Sequence, residues 1–169
     1  VSAPVLAVLS LGSNLGDRER NLREAVADLA AVPGVSIVAT SGLVETAAVK
    51  PGGVDEAAPA YLNAIAQIST TLSPSALLET TGEIEQGHGR VRIERWGDRT
   101  LDIDIVTFGD LRQDDPVLTL PHPRAGERAF VLVPWLQVDP DATLPGIGRI
   151  DALPAAAEDV RRYPAEALS

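Results

Sequence analysis

Between Leu101 and Ile105 the chain reads Leu-Asp-Ile-Asp-Ile, a strict alternation of aliphatic and acidic side chains. Only an extended strand sends successive side chains to opposite faces, so Leu101, Ile103 and Ile105 point one way and Asp102 and Asp104 the other. The aliphatic face is the one that buries. The aspartate face must then be wet, paired with arginine, or bound to metal, because carboxylates are not buried unpaired. Residues i and i+2 of a strand stand about 7 Å apart along the chain, close enough for two carboxylates to grip one or two hard divalent cations. Oxygen-only ligation in a chain without cysteine favours Mg²⁺ over zinc.

Just upstream, Arg90, Arg92, Arg95 and Arg99 gather four of the fourteen basic residues of a chain whose formal charge is −10. Guanidinium forks match phosphate oxygens and can neutralise a polyphosphate as its bridging bond breaks. An arginine loop beside an acidic strand therefore points to phosphoryl chemistry. The plainer alternative is that Arg95 or Arg99 forms surface salt bridges to Asp102 and Asp104, worth about 0–1 kcal/mol. No Gly-x-x-x-x-Gly-Lys-Ser/Thr loop occurs, and the sole lysine, Lys50, lies in a Pro/Gly-containing loop, which argues against a P-loop nucleotidase. Gly12 to Gly16 precedes a helix and could receive an anion. Its simpler reading is a strand-to-helix connection, and it stays outside the candidate site.

The remaining pattern supplies the architecture. Val5 to Leu11 is an apolar strand, and Asp17 caps a helix whose inner face is Leu22, Ala25, Val26 and Leu29, stopped by Pro33-Gly34. Val35 to Glu45 is β-branched and reads as a second strand; Ala47 to Pro59 is a long loop, and Tyr61 to Thr71 a third strand. Ser73-Pro74 opens a second helix bearing Leu77, Leu78, Thr81 and Ile84. After the Leu101 to Phe108 strand come a short strand at Val117 to Leu120, a Pro121-His122-Pro123 turn, a helix over Ala129 to Val138, and a final helix around Ala155 to Arg162. The order βαββαβ followed by helical additions predicts an α+β sandwich with a largely antiparallel sheet, as one domain over residues 1–169.

Arg90-Val91-Arg92 together with Arg95-Trp96-Gly97-Asp98-Arg99-Thr100-Leu101-Asp102-Ile103-Asp104-Ile105 resembles the signature of the hydroxymethyl-dihydropterin pyrophosphokinase family. Leu11-Gly12-Ser13-Asn14-Leu15, Tyr61-Leu62-Asn63 and Leu120-Pro121-His122-Pro123 match in the same order, so the resemblance spans roughly residues 5 to 146. It implies a ferredoxin-like fold and transfer of pyrophosphate from ATP to 6-hydroxymethyl-7,8-dihydropterin, giving AMP, a step of folate biosynthesis. It further implies two Mg²⁺ ions on Asp102 and Asp104, with Arg90 and Arg99 stabilising the transferring group. Glu85, Arg92, Arg95, Ile105, His122 and Arg128 would line the nucleotide site. Tyr61 and Phe130 would sandwich the pterin, with Thr46, Val49, Asn63 and Trp96 around it. Ala47 and Ala48 stand where the family usually has prolines, and further departures fall at Gly82, Ile93, Asp98 and Pro123.

The acidic balance disfavours nucleic acid and anionic lipid as partners, and no apolar run approaches the roughly 20 residues of a membrane span. A cytoplasmic monomer is expected. Two rivals remain: a nucleotidyltransferase that uses the same aspartates to attack the α-phosphorus, and a noncatalytic nucleotide- or metal-binding module.

Overall fold

The computed structural model describes residues 3–46, 48–50, 53–55, 60–88, 100–164 and 168, the two short stretches 48–50 and 53–55 as backbone alone. Its main sheet has six strands: β1 (Val5–Ser13), β2 (Val35–Thr40), β3 (Leu43–Thr46), β6 (Tyr61–Thr70), β7 (Asp102–Phe108) and β10 (Arg161–Tyr163). Between β3 and β6 lies a hairpin, β4 (Ala48–Lys50) and β5 (Gly53–Asp55); a small ribbon, β8 (Thr143–Leu144) and β9 (Gly148–Arg149), follows the third helix. The order across the main sheet is β10-β3-β6-β1-β7, with β2 on β6 beside β3, and every pairing is antiparallel.

Two βαβ units interleave to give this order. Helix α1 (Arg18–Ala30) carries the chain from β1 to β2, and α2 (Pro74–Gly87) carries it from β6 to β7. Each crossover skips one strand, which the other unit fills. This is the ferredoxin-like arrangement, and the α+β expectation holds.

Local chemistry starts and stops the helices as anticipated. Asp17 accepts from the Arg20 N–H at 3.2 Å and Ser73 from the Ala76 N–H at 3.1 Å, each answering a donor left open by a first turn. Gly34 adopts φ +87, and a Cβ there would lie 2.7 Å from Thr71 Oγ1, so only glycine turns the chain out of α1.

Both faces of the sheet are covered. Leu9, Leu11, Ala64, Ala66, Ile103 and Ile105 bury against Leu22, Val26, Leu29 and Leu77 of α1 and α2. Val8, Ile65 and Val106 bury on the other face beneath α3 (Ala129–Val138), against Val131, Leu132 and Trp135. Period 2 therefore assigns Asn63 and Asp104 to the α3 face. Among the described residues, α3 packs over the Val8, Ile65 and Val106 part of that face, and Asp102 and Asn63 lie toward its other end.

Several expectations change. The predicted strand over Val35 to Glu45 breaks at Ser41-Gly42, where the Ser41 hydroxyl accepts from Ile65 N–H and Gln137 Oε1 accepts from Gly42 N–H, so side-chain oxygens replace ladder bonds. The loop over Ala47 to Pro59 contains the β4–β5 hairpin. At Val117 to Leu120 only an isolated Gln113–Leu120 bridge forms, and Val117 is 78% exposed with nothing to pack on. The final helix is replaced by a 3₁₀ turn, Pro154–Ala157, and then β10, because pairing with β3 outweighs the local alanine preference for helix.

Candidate active site

The register of three strands builds one row of side chains. Asp102 on β7 lies opposite Gly12 on β1, Gly12 lies opposite Asn63 on β6, and Asn63 lies opposite Val44 on β3. In the next row Asp104 faces Ser10, and Ser10 faces Ile65. The two aspartates thus border one end of the α3 face and the Asn63 amide stands two strands further in, across β1. Thr46 pairs with Tyr61 at the end of the β3–β6 ladder. The Asn63 amide nitrogen donates to Thr46 Oγ1 at 3.1 Å.

Gly12 is the floor of this row. A Cβ at that position would lie 2.9 Å from Asn63 Oδ1 and 3.6 Å from Tyr61 Cδ1, so the amide and the ring both close over its bare backbone. The sequence alone puts Gly12 in the strand-to-helix connection. In the structure β1 runs on through Ser13, and the available signal was a glycine inside a strand pattern, which often marks close approach of other groups.

Beyond the bulge that shifts the β1–β7 register between Val8 and Leu9, the chain after β7 returns along the strand's outer edge. His122 N–H donates to Val106 O at 2.8 Å, which holds the imidazole near Asp104. Its Nδ1 accepts from Arg124 N–H at 3.2 Å, so the neutral ring carries its proton on Nε2. Burial pushes His122 below its ordinary value; Asp104 opposes this and the Arg128 and Arg124 charges add to it. The site therefore offers a neutral N–H donor at neutral pH.

Arg128 precedes α3. Its Nη1 approaches Asp104 Oδ2 at 3.8 Å, and its guanidinium carbon lies 5.5 Å from the Phe130 ring centroid. Burial lowers its pKa, with Asp104 pulling the other way; arginine stays protonated under any ordinary condition. The guanidinium thus lies between a carboxylate and an aromatic face.

The Asp102–Asp104 pair fits a magnesium site. Both donors are oxygens on one face of one strand, and the Asp104 side chain is 49% exposed with Arg128 only at ion-pair range. Among the described residues no cluster of three or more metal-ligating side chains occurs. Mg²⁺ takes one or two protein carboxylates and fills its other positions with water and substrate phosphate.

The family described as 7,8-dihydro-6-hydroxymethylpterin-pyrophosphokinase (HPPK) matches residues 8–140. The chain belongs to this family. Curated relatives named 2-amino-4-hydroxy-6-hydroxymethyldihydropteridine pyrophosphokinase include that of Methylorubrum extorquens, 44% identical over 83% of this chain and 86% of the relative. The Mycobacterium leprae protein of the same name is 43% identical over 92% and 84%, and the Synechocystis protein 40% identical over 85% and 71%. Among solved structures, wild-type HPPK-DHPS of Plasmodium falciparum with pterin and p-hydroxybenzoate matches with a TM-score of 0.67 at 17% identity. That match covers 89% of this chain and 42% of the Plasmodium chain, so it speaks for the fold of one part of a longer protein.

Of the residues that the family resemblance singles out, the structure gathers Asp102, Asp104, Asn63, Thr46 and Tyr61 on one face, with His122, Arg128 and Phe130 adjoining it through β7 and α3. Ile105 instead has its side chain in the core on the α1 and α2 side, so it could meet a nucleotide only through its backbone. Glu85 is 7% exposed at the end of α2, and its carboxylate accepts from Ile103 N–H at 2.8 Å, securing the strand between the two aspartates. Arg90, Arg92, Arg95, Trp96 and Arg99 lie outside the described residues, and Val49 is described only as backbone in β4.

Proposed function

We propose that this chain transfers pyrophosphate from ATP to 6-hydroxymethyl-7,8-dihydropterin, a step of folate synthesis, with the pterin lying over Gly12 and the polyphosphate over Asp102 and Asp104. The observation that carries the reading is the row Asp102–Gly12–Asn63. It sets an amide that can orient a heterocycle one bare backbone position away from a carboxylate pair. A pterin between Tyr61 and Phe130 would gain affinity from its faces, while Asn63 and Thr46 fix its edge. Its hydroxymethyl group then extends over Gly12 toward Asp102.

In the reaction, the hydroxyl oxygen forms a bond to the β-phosphorus as the bond from that phosphorus to the oxygen bridging it to the α-phosphorus breaks; AMP leaves with that oxygen, and the hydroxyl proton passes to solvent. Bound Mg²⁺ would neutralise the polyphosphate and acidify the attacking hydroxyl. Arg128 supplies positive charge beside Asp104, and the neutral His122 Nε2–H donates to a phosphate oxygen without demanding a further proton. Arg90 and Arg99 are assigned to the transferring group, and Arg92 and Arg95 to the nucleotide, on the resemblance of their segment to the family's.

Among the described residues no helix is long and apolar enough to cross a membrane. The reading places the enzyme in the cytoplasm, acting as a single chain. Its test is product identity: with Mg²⁺ and both substrates, AMP should form only when the pterin is present. Pyrophosphate release would instead mean attack at the α-phosphorus, and ATP binding without turnover would favour a binding module.

A further inference from the structure

On the opposite side of the sheet, beneath the substrate face, Arg18 opens α1 and reaches two strands at once. Its Nη1 donates to Glu45 Oε2 at 2.7 Å and to the Ala60 carbonyl at 2.8 Å. Glu45 immediately precedes Thr46, and Ala60 immediately precedes Tyr61. Thr46 and Tyr61 form the last residue pair of the β3–β6 ladder, and the chain between them departs into the β4–β5 hairpin. One guanidinium therefore grips both strands at the point where their pairing stops.

The end of a ladder is where strands fray, because a terminal pair lacks a neighbour on one side. Here the terminal pair carries a ring and a hydroxyl assigned to the pterin, and the Thr46 hydroxyl also receives the Asn63 amide. Movement of Thr46 away from Tyr61 would release that amide as well. Glu45 pairs with Leu62, whose side chain is buried on the α1 and α2 side, so the Glu45 carboxylate meets Arg18 below the sheet while its neighbour Thr46 points to substrate above it.

The C-terminal strand adds a second layer. Arg161 Nη2 of β10 donates to the other Glu45 oxygen, and the Arg18 guanidinium carbon lies 5.7 Å from the centroid of the Tyr163 ring. β10 lies beyond residues 8–140, the part of the chain that the family description matches. Glu45 and Arg18 side chains are 14% and 24% exposed, so this pair is shielded from water far better than an ordinary surface ion pair, and its charge-assisted bonds are correspondingly directional.

We propose that Arg18 is a positioning residue for the pterin: it clasps the strand ends before Thr46 and Tyr61, and β10 braces the clasp through Arg161 and Tyr163. The inference rests on assigning the substrate face to the pterin. It specifies that the clasp acts on pterin binding and leaves the nucleotide side, built on β7 and the start of α3, undisturbed.

The test is steady-state kinetics of AMP formation, with each substrate varied in turn, for the unaltered enzyme and for Arg18→Ala, Arg18→Lys and Arg161→Ala. Arg18→Ala should raise the pterin KM about tenfold, the consequence of losing two charge-assisted bonds that orient the site, while kcat and the ATP KM stay within about twofold. Arg18→Lys keeps the charge but not the fork, and should recover part of the loss. Arg161 is exposed, so its alanine variant should fold and raise the pterin KM by about two- to threefold even if Arg18→Ala does not fold. Unchanged pterin KM in the Arg18 and Arg161 variants overturns the proposal, as does a parallel loss in kcat and ATP KM, which would mark general structural support. No pterin-dependent AMP from the unaltered enzyme overturns the underlying assignment, and the clasp with it.

Discussion

Gly12→Ala is the substitution whose outcome the geometry determines most sharply. Gly12 is absent from the positive-φ glycines, so its backbone is one that alanine adopts without strain. The only obstacle is space. The added Cβ would stand 3.6 Å from Tyr61 Cδ1 and 3.8 Å from Leu62 O, both ordinary contacts, but 2.9 Å from Asn63 Oδ1. A comfortable carbon–oxygen approach is about 3.3–3.6 Å, so the amide must retreat by about 0.4–0.7 Å. Asn63 is only 5% exposed and is bonded to Thr46, which leaves it little room to do so. Overpacking of this kind costs about 1–3 kcal/mol, and loss of the Asn63–Thr46 bond about 1 kcal/mol more. Replacing glycine offsets about 0.4–1 kcal/mol by restricting the unfolded chain. The net expectation is destabilisation of about 1–3.6 kcal/mol and a pterin Kd weakened at least about tenfold. In an Asn63→Ala background the colliding oxygen is gone, and the same substitution should become stabilising by about 0.5 kcal/mol. Urea unfolding of the four proteins measures this reversal as a double-mutant cycle. An equal effect of Gly12→Ala in both backgrounds would refute the claim that Gly12 is the floor beneath the Asn63 amide.

Glu85→Ala removes the acceptor for the Ile103 N–H and is expected to cost about 2–3 kcal/mol and to speed hydrogen exchange at Ile103; unchanged protection there would exclude the role of Glu85 in securing β7. His122 should make stability depend on pH in metal-free protein. Its folded pKa lies below the ordinary value near 6.5, so the unfolded chain takes up the proton first as pH falls. Stability contributed by the neutral ring is full above that value and declines as pH drops below it. His122→Gln should flatten that part of the unfolding-versus-pH curve, and an identical curve for the variant would show that the ring is not held neutral.

The parts of the fold written in single-strand periodicity were legible from the sequence. Leu101 to Ile105 could alternate only one way, the caps at Asp17 and Ser73 were plain, and the largely apolar Ala129 to Val138 became a helix with those bounds. What escaped depends on partners distant in sequence. β10 exists because Arg161, Arg162 and Tyr163 pair with β3, a preference that a local alanine run cannot announce. The break at Ser41-Gly42 depends on Gln137, ninety-five positions away. The same holds for the site. Asp102 and Asp104 could be named from their own strand, whereas Gly12 acquires meaning only once β1 is set between β6 and β7. Arg18, the residue after the Asp17 cap, gains its role from a Glu45 carboxylate oxygen on β3 and the Ala60 carbonyl just before β6.

The central claim is that the face bearing Asp102 and Asp104 is where phosphoryl chemistry occurs, and Asp104→Asn tests it most directly. The side chain is half-exposed, and among the described residues its ion-pair partner is Arg128 at 3.8 Å, so the fold should keep its urea unfolding free energy to within about 1 kcal/mol. With Mg²⁺, ATP and 6-hydroxymethyl-7,8-dihydropterin at saturation, AMP formation should fall by about a thousandfold, the loss of several kcal/mol of charge stabilisation in the transition state. A folded Asp104→Asn protein that turns over at the rate of the unaltered enzyme would contradict the account.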